Sequence, residues 1–251
     1  MTKVLLVGET WTTLETHVKG WDQFAAARFE SGAGPLLDAL RGGDIEVEHL
    51  PAHEAVTDLP FTVDGLDGVD VVILSDIGAD TLLLHPDVWA GERRPNRLSV
   101  LAQWVEAGGG LAMAGGYLSF QGIRASGRYH GTAIERVLPV TLVPHDDRVE
   151  VPEGVEPERT AVDHPVVDGV DDRWPYLLGY NRLTVRNDAT LLATAAADPM
   201  LAVRKVGAGR TLAWASDIGP HWCPDGFVAW PGYARLWQQA VRWLAAADPR
   251  A

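Results

Sequence analysis

Apolar residues occur along the chain in two rhythms, and the alternation between them predicts the fold. Lys3–Gly8, Val69–Leu74 and Leu111–Ala114 are short runs that are apolar almost throughout, without a polar position at every second residue. Such runs mark strands buried on both faces, as in a parallel sheet covered by helices. Ile45–Leu50 reads as a further strand. Elsewhere the apolar positions recur every three or four residues, which is helical spacing. Leu36, Leu37 and Leu40 form one stripe, entered at Pro35 and left at Gly42. Leu98, Leu101, Trp104 and Val105 form a second, from about Arg97 to Ala107, and Gly108–Gly110 stop it. A third stripe runs through Tyr233, Leu236, Trp237, Ala240, Val241 and Leu244. The order through residue 114 is β-α-β-β-α-β with short crossovers, which predicts an α/β fold: three layers, a doubly wound and mostly parallel sheet.

The remaining stretches carry weaker patterns. Thr12–Gly34 is polar and aromatic and reads as a long loop, and loops of that length tend to carry function. The segment from Leu50 through Pro60 reads as irregular, and a loop rich in Pro, Gly and Arg precedes Arg97. Thr132-x-x-Glu135 is a capping-box spacing ahead of Ile134, Val137 and Leu138, so a short helix is expected to end at Pro139. Residues 140–188 mix short apolar groups with Pro, Asp and Gly and read as a β-rich edge extension of a single domain over 1–251. Met200–Val206 and Arg210–Ala215, separated by Gly207-Ala208-Gly209, form a hairpin by turn chemistry.

Polar groups stand directly after the buried strands. Glu9 follows the first, Asp76 another, Tyr117 and Ser119 the Leu111–Ala114 run, and Asp217 with His221 the last. Ser-Asp-Ile-Gly occurs after two strands, at Ser75–Gly78 and Ser216–Gly219. Ser, Asp and Gly end strands commonly enough to explain either copy alone. In an open α/β sheet, however, ligands bind at the carboxyl edge of the strands, so four such ends predict one polar site. Ala114-Gly115-Gly116-Tyr117-Leu118-Ser119 has the spacing of a nucleophile elbow, with Tyr at the central position. His221, Asp217, Asp76 and Tyr117 are the candidate catalytic residues. Glu9, Trp11, Gly116, Ser119, Gln121, His130 and Trp222 are the candidate ligand contacts. Among the 10 tryptophans, Trp104, Trp237 and Trp243 sit in helical patterns, whereas Trp11, Trp21 and Trp222 lie in polar stretches where they could stack on a ligand.

Composition narrows the partners. The chain has 251 residues, a net charge of −13 and one cysteine, Cys223. That charge argues against nucleic acid and anionic membranes. Arg93, Arg94 and Arg97 form the one concentrated positive patch and read as a solvated loop and helix start. A lone cysteine excludes an internal disulfide and suits a reducing cytoplasm. The apolar run near Met1 is too short for a signal peptide, and no run is long enough to span a bilayer. Pro51 spoils a helical metal pair at His49 and His53, no spacing enforces metal binding by Glu9, Asp76, Asp217 and His221, and no nucleotide-binding glycine motif is present. No metal or other cofactor is therefore expected.

The elbow resembles the nucleophile turn of class I glutamine amidotransferases, Gly-x-Cys-x-Gly, and the first 120 residues share that layout. Gly-Pro-His-Trp-Cys-Pro, from Gly219, lies where that family keeps its catalytic His-Pro-Glu. More closely, the chain resembles glutamine amidotransferase-like proteins whose elbow reads Gly-Gly-Tyr-x-Ser-Phe-Gln-Gly, similar in fold to the ThuA-like group. The resemblance implies a class I glutamine amidotransferase-like, flavodoxin-like fold over nearly the whole chain. It also places Tyr117 at the cysteine position, His221 at the histidine position and Cys223 where the glutamate stands. Glutamine hydrolysis in that family requires a thiolate, and a phenol with a pKa near 10 supplies little nucleophile at neutral pH. The expectation is a cytoplasmic homo-oligomer that binds or acts on a small polar ligand, with a carbohydrate derivative as one candidate, and does not hydrolyse glutamine. The alternative is a non-catalytic binding or scaffolding member that works as an oligomer.

Overall fold

The computed structural model describes residues 1–246. The first strand, β1 (Lys3–Gly8), is buried from its second residue onward. Two long strands, β2 (Thr10–Lys19) and β3 (Asp22–Ser31), follow it, then helix α1 (Gly34–Arg41). Next come β4 (Glu46–Leu50), α2 (Ala52–Asp58) and β5 (Val71–Ser75). Two short helices, α3 (Ala79–Leu83) and α4 (Pro86–Trp89), lead to α5 (Arg97–Glu106) and β6 (Gly110–Ala114). Helix α6 (Ala133–Val137) opens the second half. Five short strands then follow: β7 (Val140–Thr141), β8 (Arg148–Val155), β9 (Glu158–Arg159), β10 (Leu177–Asn181) and β11 (Thr184–Val185). The chain closes with β12 (Thr190–Ala195), β13 (Asp198–Val206), β14 (Gly209–Trp214), α7 (Asp225–Val228) and α8 (Pro231–Ala245).

Eight strands form one sheet in the order β4-β1-β5-β6-β14-β13-β12-β9. The first five are parallel, and β13, β12 and β9 continue it antiparallel. β5 and β6 are buried at every residue, because helices cover both faces of the parallel part. Helices α1 and α8 pack together as one layer, and α2, α3, α5 and α6 pack in succession as the other. This is the three-layer, mostly parallel α/β architecture that the sequence predicts.

Three differences from the sequence reading have physical causes. Residues 12–34 are not a loop: β2 and β3 pair antiparallel from Thr10↔Ser31 to Lys19↔Asp22 without a register shift. Their Thr, Val, Phe and Trp content favours strand, but with both faces in water the pattern lacks the alternation that burial imposes. The segment after Leu50 is not irregular, since α2 begins directly after Pro51, which fixes the entry to the helix. Arg97 is not solvated. Its guanidinium is buried and donates to the carbonyls of Leu82, Ala55, Leu59, Val56 and Thr81, so its charge is satisfied by backbone dipoles from two segments.

Candidate functional site

The register of the sheet sets the site. Gly8 lies opposite Ser75, Ser75 opposite Ala114 and Ala114 opposite Trp214. Four neighbouring parallel strands therefore end level, and the residues just past those ends share one rim. Glu9, Asp76, Tyr117, Asp217 and His221 line a single cavity of about 340 Å³ there, with Trp11 and Pro220. The predicted convergence holds for all five.

The two acids that directly follow β1 and β5 both carry left-handed backbone, Glu9 at φ 53° and Asp76 at φ 41°. Non-glycine residues rarely adopt it, and such strain gathers at functional sites. Neighbouring groups hold the strain in place. The Glu9 amide donates to the Ser75 carbonyl at 2.8 Å, and the Ser75 hydroxyl donates to Glu9 Oε2 at 2.6 Å. The Asp76 amide donates to Ser119 Oγ at 3.1 Å, and the Leu118 amide donates to Asp76 Oδ1 at 2.7 Å.

Gly116 turns the chain between the acids. Its φ is +138°, and a Cβ there would meet Asp76 Oδ1 at 2.8 Å and Asp217 Oδ1 at 2.9 Å. The buried side-chain amide of Asn181 grips the same peptide unit from both sides. Its oxygen accepts from the Gly116 amide at 2.9 Å and its nitrogen donates to the Gly116 carbonyl at 3.2 Å. Tyr117 itself is not among the residues with positive φ, and no α-helix follows it before α6. The turn thus has the sequence spacing of a nucleophile elbow without the strained nucleophile.

Electrostatics separates the acids. Burial, reinforced by the charges of Asp76 and Asp217, pushes Glu9 up to about 8. Burial also raises Asp76 to about 6, with the Leu118 amide opposing it and the Asp217 charge adding to it. At neutral pH Glu9 keeps its proton while Asp76 is mostly charged. Asp217 Oδ2 accepts from the Trp222 amide at 2.9 Å and lies 3.4 Å from His221 Nδ1. That contact with Asp217 holds the His221 pKa above its usual value against partial burial. His221 therefore has one ring nitrogen turned to a carboxylate, on a half-exposed imidazole.

Tyr117 is engaged elsewhere. Its hydroxyl donates to Glu150 Oε1 at 3.1 Å, and its ring packs edge-on to His221, 4.8 Å between centroids. Burial and that hydrogen bond raise its pKa, so the phenol stays protonated. Cys223 is fully buried, and desolvation with the Asp217 and Glu9 charges raises its thiol far above the usual range. Cys223 is the chain's one cysteine, so no thiolate is available at this edge.

Four expected ligand contacts, Trp222, Ser119, Gln121 and His130, do not line the cavity. Trp222 is fully buried, and its ring N–H donates to Glu150 Oε2 at 2.9 Å. Ser119 is spent on the Asp76 amide. Gln121 is buried and accepts from the His130 amide at 2.9 Å, and His130 Nδ1 sits 3.0 Å from the Leu142 carbonyl. Proximity to the elbow in sequence drew Ser119, Gln121 and His130 into the prediction, and its polar surroundings drew Trp222, but their hydrogen bonds go to the protein's own loops instead. Trp21 is in the turn between β2 and β3 and does not line the cavity. Trp11 does line the cavity.

The supporting groups escaped the sequence reading because they come from residues 140–188. Asp147 accepts from the Gln121 and Gly122 amides at 3.0 and 2.8 Å and from the Asn181 amide nitrogen at 2.8 Å. Glu150 joins Tyr117 to Trp222. No motif marks them, since their partners lie tens of residues away. Among the described residues, no group of three His, Cys, Asp or Glu side chains could hold a metal ion.

Comparison with known proteins agrees with this fold. Residues 3–246 match the family model GATase1_like, described as "Putative glutamine amidotransferase". The solved structure of the cytoplasmic protein STM3548 from Salmonella typhimurium is 40% identical, with a TM-score of 0.92, over 97% of this chain and 98% of that one. Cytoplasmic protein STM1381 from Salmonella typhimurium LT2 is 39% identical, with a TM-score of 0.93, over 97% and 99% of the two chains. A ThuA-like protein from Parabacteroides merdae shares the fold at 14% identity and a TM-score of 0.57, over 98% and 90%. None of the curated proteins matches the sequence.

Proposed function

The chain belongs to the glutamine amidotransferase-like family, and on that premise we propose that it binds a small, hydroxyl-rich ligand at the sheet edge and moves protons on it, without hydrolysing glutamine. The observation that carries this reading is the set of three carboxyl groups and one imidazole, from three strand ends, around one cavity. Glu9, protonated at neutral pH, serves as a hydrogen-bond donor, and Asp76 as an acceptor. His221, oriented by Asp217, is the group that takes or returns a proton, the usual work of an imidazole so paired. Trp11 offers a ring against which sugar C–H groups pack while the acids take the hydroxyls. Amide hydrolysis by this family's route needs a thiolate, and a protonated Tyr117 and a buried Cys223 supply none. The setting is the cytoplasm, as for the two Salmonella relatives.

A thermal-shift titration at pH 7 with monosaccharides, sugar acids and polyols tests the reading. At least one compound is expected to raise the melting temperature saturably, since a hundredfold excess over Kd stabilises a protein by about 2.7 kcal/mol. The rise is expected to vanish in His221→Ala and Asp76→Asn. Incubation with glutamine is expected to release ammonia only at background; release that disappears in Tyr117→Phe would overturn the proposal.

A further inference from the structure

The β2–β3 ribbon is the one long element here with no core of its own. Its pairing places alternate residues on opposite faces. All of its charged or titratable side chains fall on one face: Glu15, His17, Lys19, Asp22, Arg28 and Glu30. That face satisfies itself. Trp11 and Thr13 donate to Glu30, Arg28 pairs with Glu15, and His17 stacks on Phe24 at 4.6 Å. The other face carries Leu14, Val18, Ala25, Ala27 and Phe29 among threonines and one glutamine, with no charge. At its base Thr10 accepts from the Ala52 amide and Phe29 lies edge-on to His53 at 5.1 Å; beyond that it stands in water, with Leu14 78% and Val18 67% exposed. At the tip, Trp21 is wholly exposed. The ribbon has neither proline nor bulge to blunt its edges, and its charges all lie on the first face. A two-stranded hairpin is marginal by itself in water.

We propose that this ribbon is a dimerisation arm whose uncharged face and Trp21 seat on a second copy of the chain. Charge leaves this face as the place where a second copy can come: two chains of net charge −13 repel over most of their surfaces and can approach most closely where the surface carries none. Area favours reciprocal seating. A ribbon of ten residues per strand is roughly 34 Å long and about 10 Å wide, so one face presents about 340 Å². Two ribbons packed only on each other bury about 700 Å² in total, the size of an adventitious contact. Two arms each laid on the partner's body bury about 1,400 Å², within the range of stable interfaces. An exposed tryptophan at the tip is the kind of anchor that dominates such contacts.

Sedimentation equilibrium of the purified full chain tests this. The wild type is expected to be a dimer, and Leu14→Glu combined with Val18→Glu a monomer with unchanged far-UV circular dichroism. Replacing residues 12–29 by two glycines is expected to give the same monomer, whereas Glu15→Gln on the opposite face is expected to keep the dimer. A monomeric wild type, whatever lipid vesicle or other protein it binds, overturns the proposal. So does a dimer that survives the double substitution or the arm replacement.

Discussion

At Gly116 a hydrogen atom occupies a position where any other residue would put carbon between two carboxylates. The Cβ of an alanine there would lie 2.8 Å from Asp76 Oδ1 and 2.9 Å from Asp217 Oδ1, on backbone at φ +138°. Gly116→Ala is therefore expected to lose about 1–3 kcal/mol of stability in urea denaturation, and with it any ligand-induced thermal shift. Unchanged stability would mean that the two acids do not close on the turn. Residues of this kind were legible from sequence where a polar group directly follows a buried strand. A strand buried on both faces must emerge at the sheet edge, so Glu9, Asp76, Tyr117 and Asp217 had nowhere else to go. Direction was not legible. Trp222 lies one residue from His221 yet turns inward to Glu150, because the Asp217 carboxylate captures its amide.

Among the elements, α5 and the β2–β3 ribbon mark the limits of pattern reading. The apolar stripe of α5 and its Asn96 cap, whose side chain accepts from Ser99 at 3.1 Å, agree with the sequence boundaries within a residue. Its first residue misled, since an arginine at a helix start reads as solvated. Arg97 instead binds the carbonyls around α2 to α3. Arg97→Met leaves those carbonyls without donors in a dry site and is expected to cost about 3 kcal/mol or more. Arg94→Met, at an exposed ion pair with Asp87, is expected to stay within about 0.5 kcal/mol. Equal effects in denaturant titrations would show that Arg97 is not the buried tie described. The ribbon was read as a loop because strand periodicity records burial, and this chain buries neither of its faces. The contribution of residues 140–188 to the site was equally hidden, since Asp147, Glu150 and Asn181 act across the fold.

On the scale of the whole molecule, one sheet edge concentrates acid in an already acidic protein. Three carboxyls share that desolvated rim, and the fold answers by leaving a proton on Glu9. Its folded pKa of about 8 stands above the ordinary 4.5, so between those values the folded chain binds more protons than the unfolded one. Stability from this group is then greatest below about pH 4.5 and falls as pH rises toward 8. The proton is also what would let Glu9 donate to the proposed ligand at neutral pH. The most direct measurement is a carboxyl ¹³C NMR titration of Glu9 in the wild type and in Asp76→Asn. The account requires a midpoint near 8 in the wild type and a lower one in the variant, where a neighbouring charge is gone. A wild-type midpoint near 4.5, unmoved by the substitution, would contradict a shared acid rim and the ligand chemistry built on it.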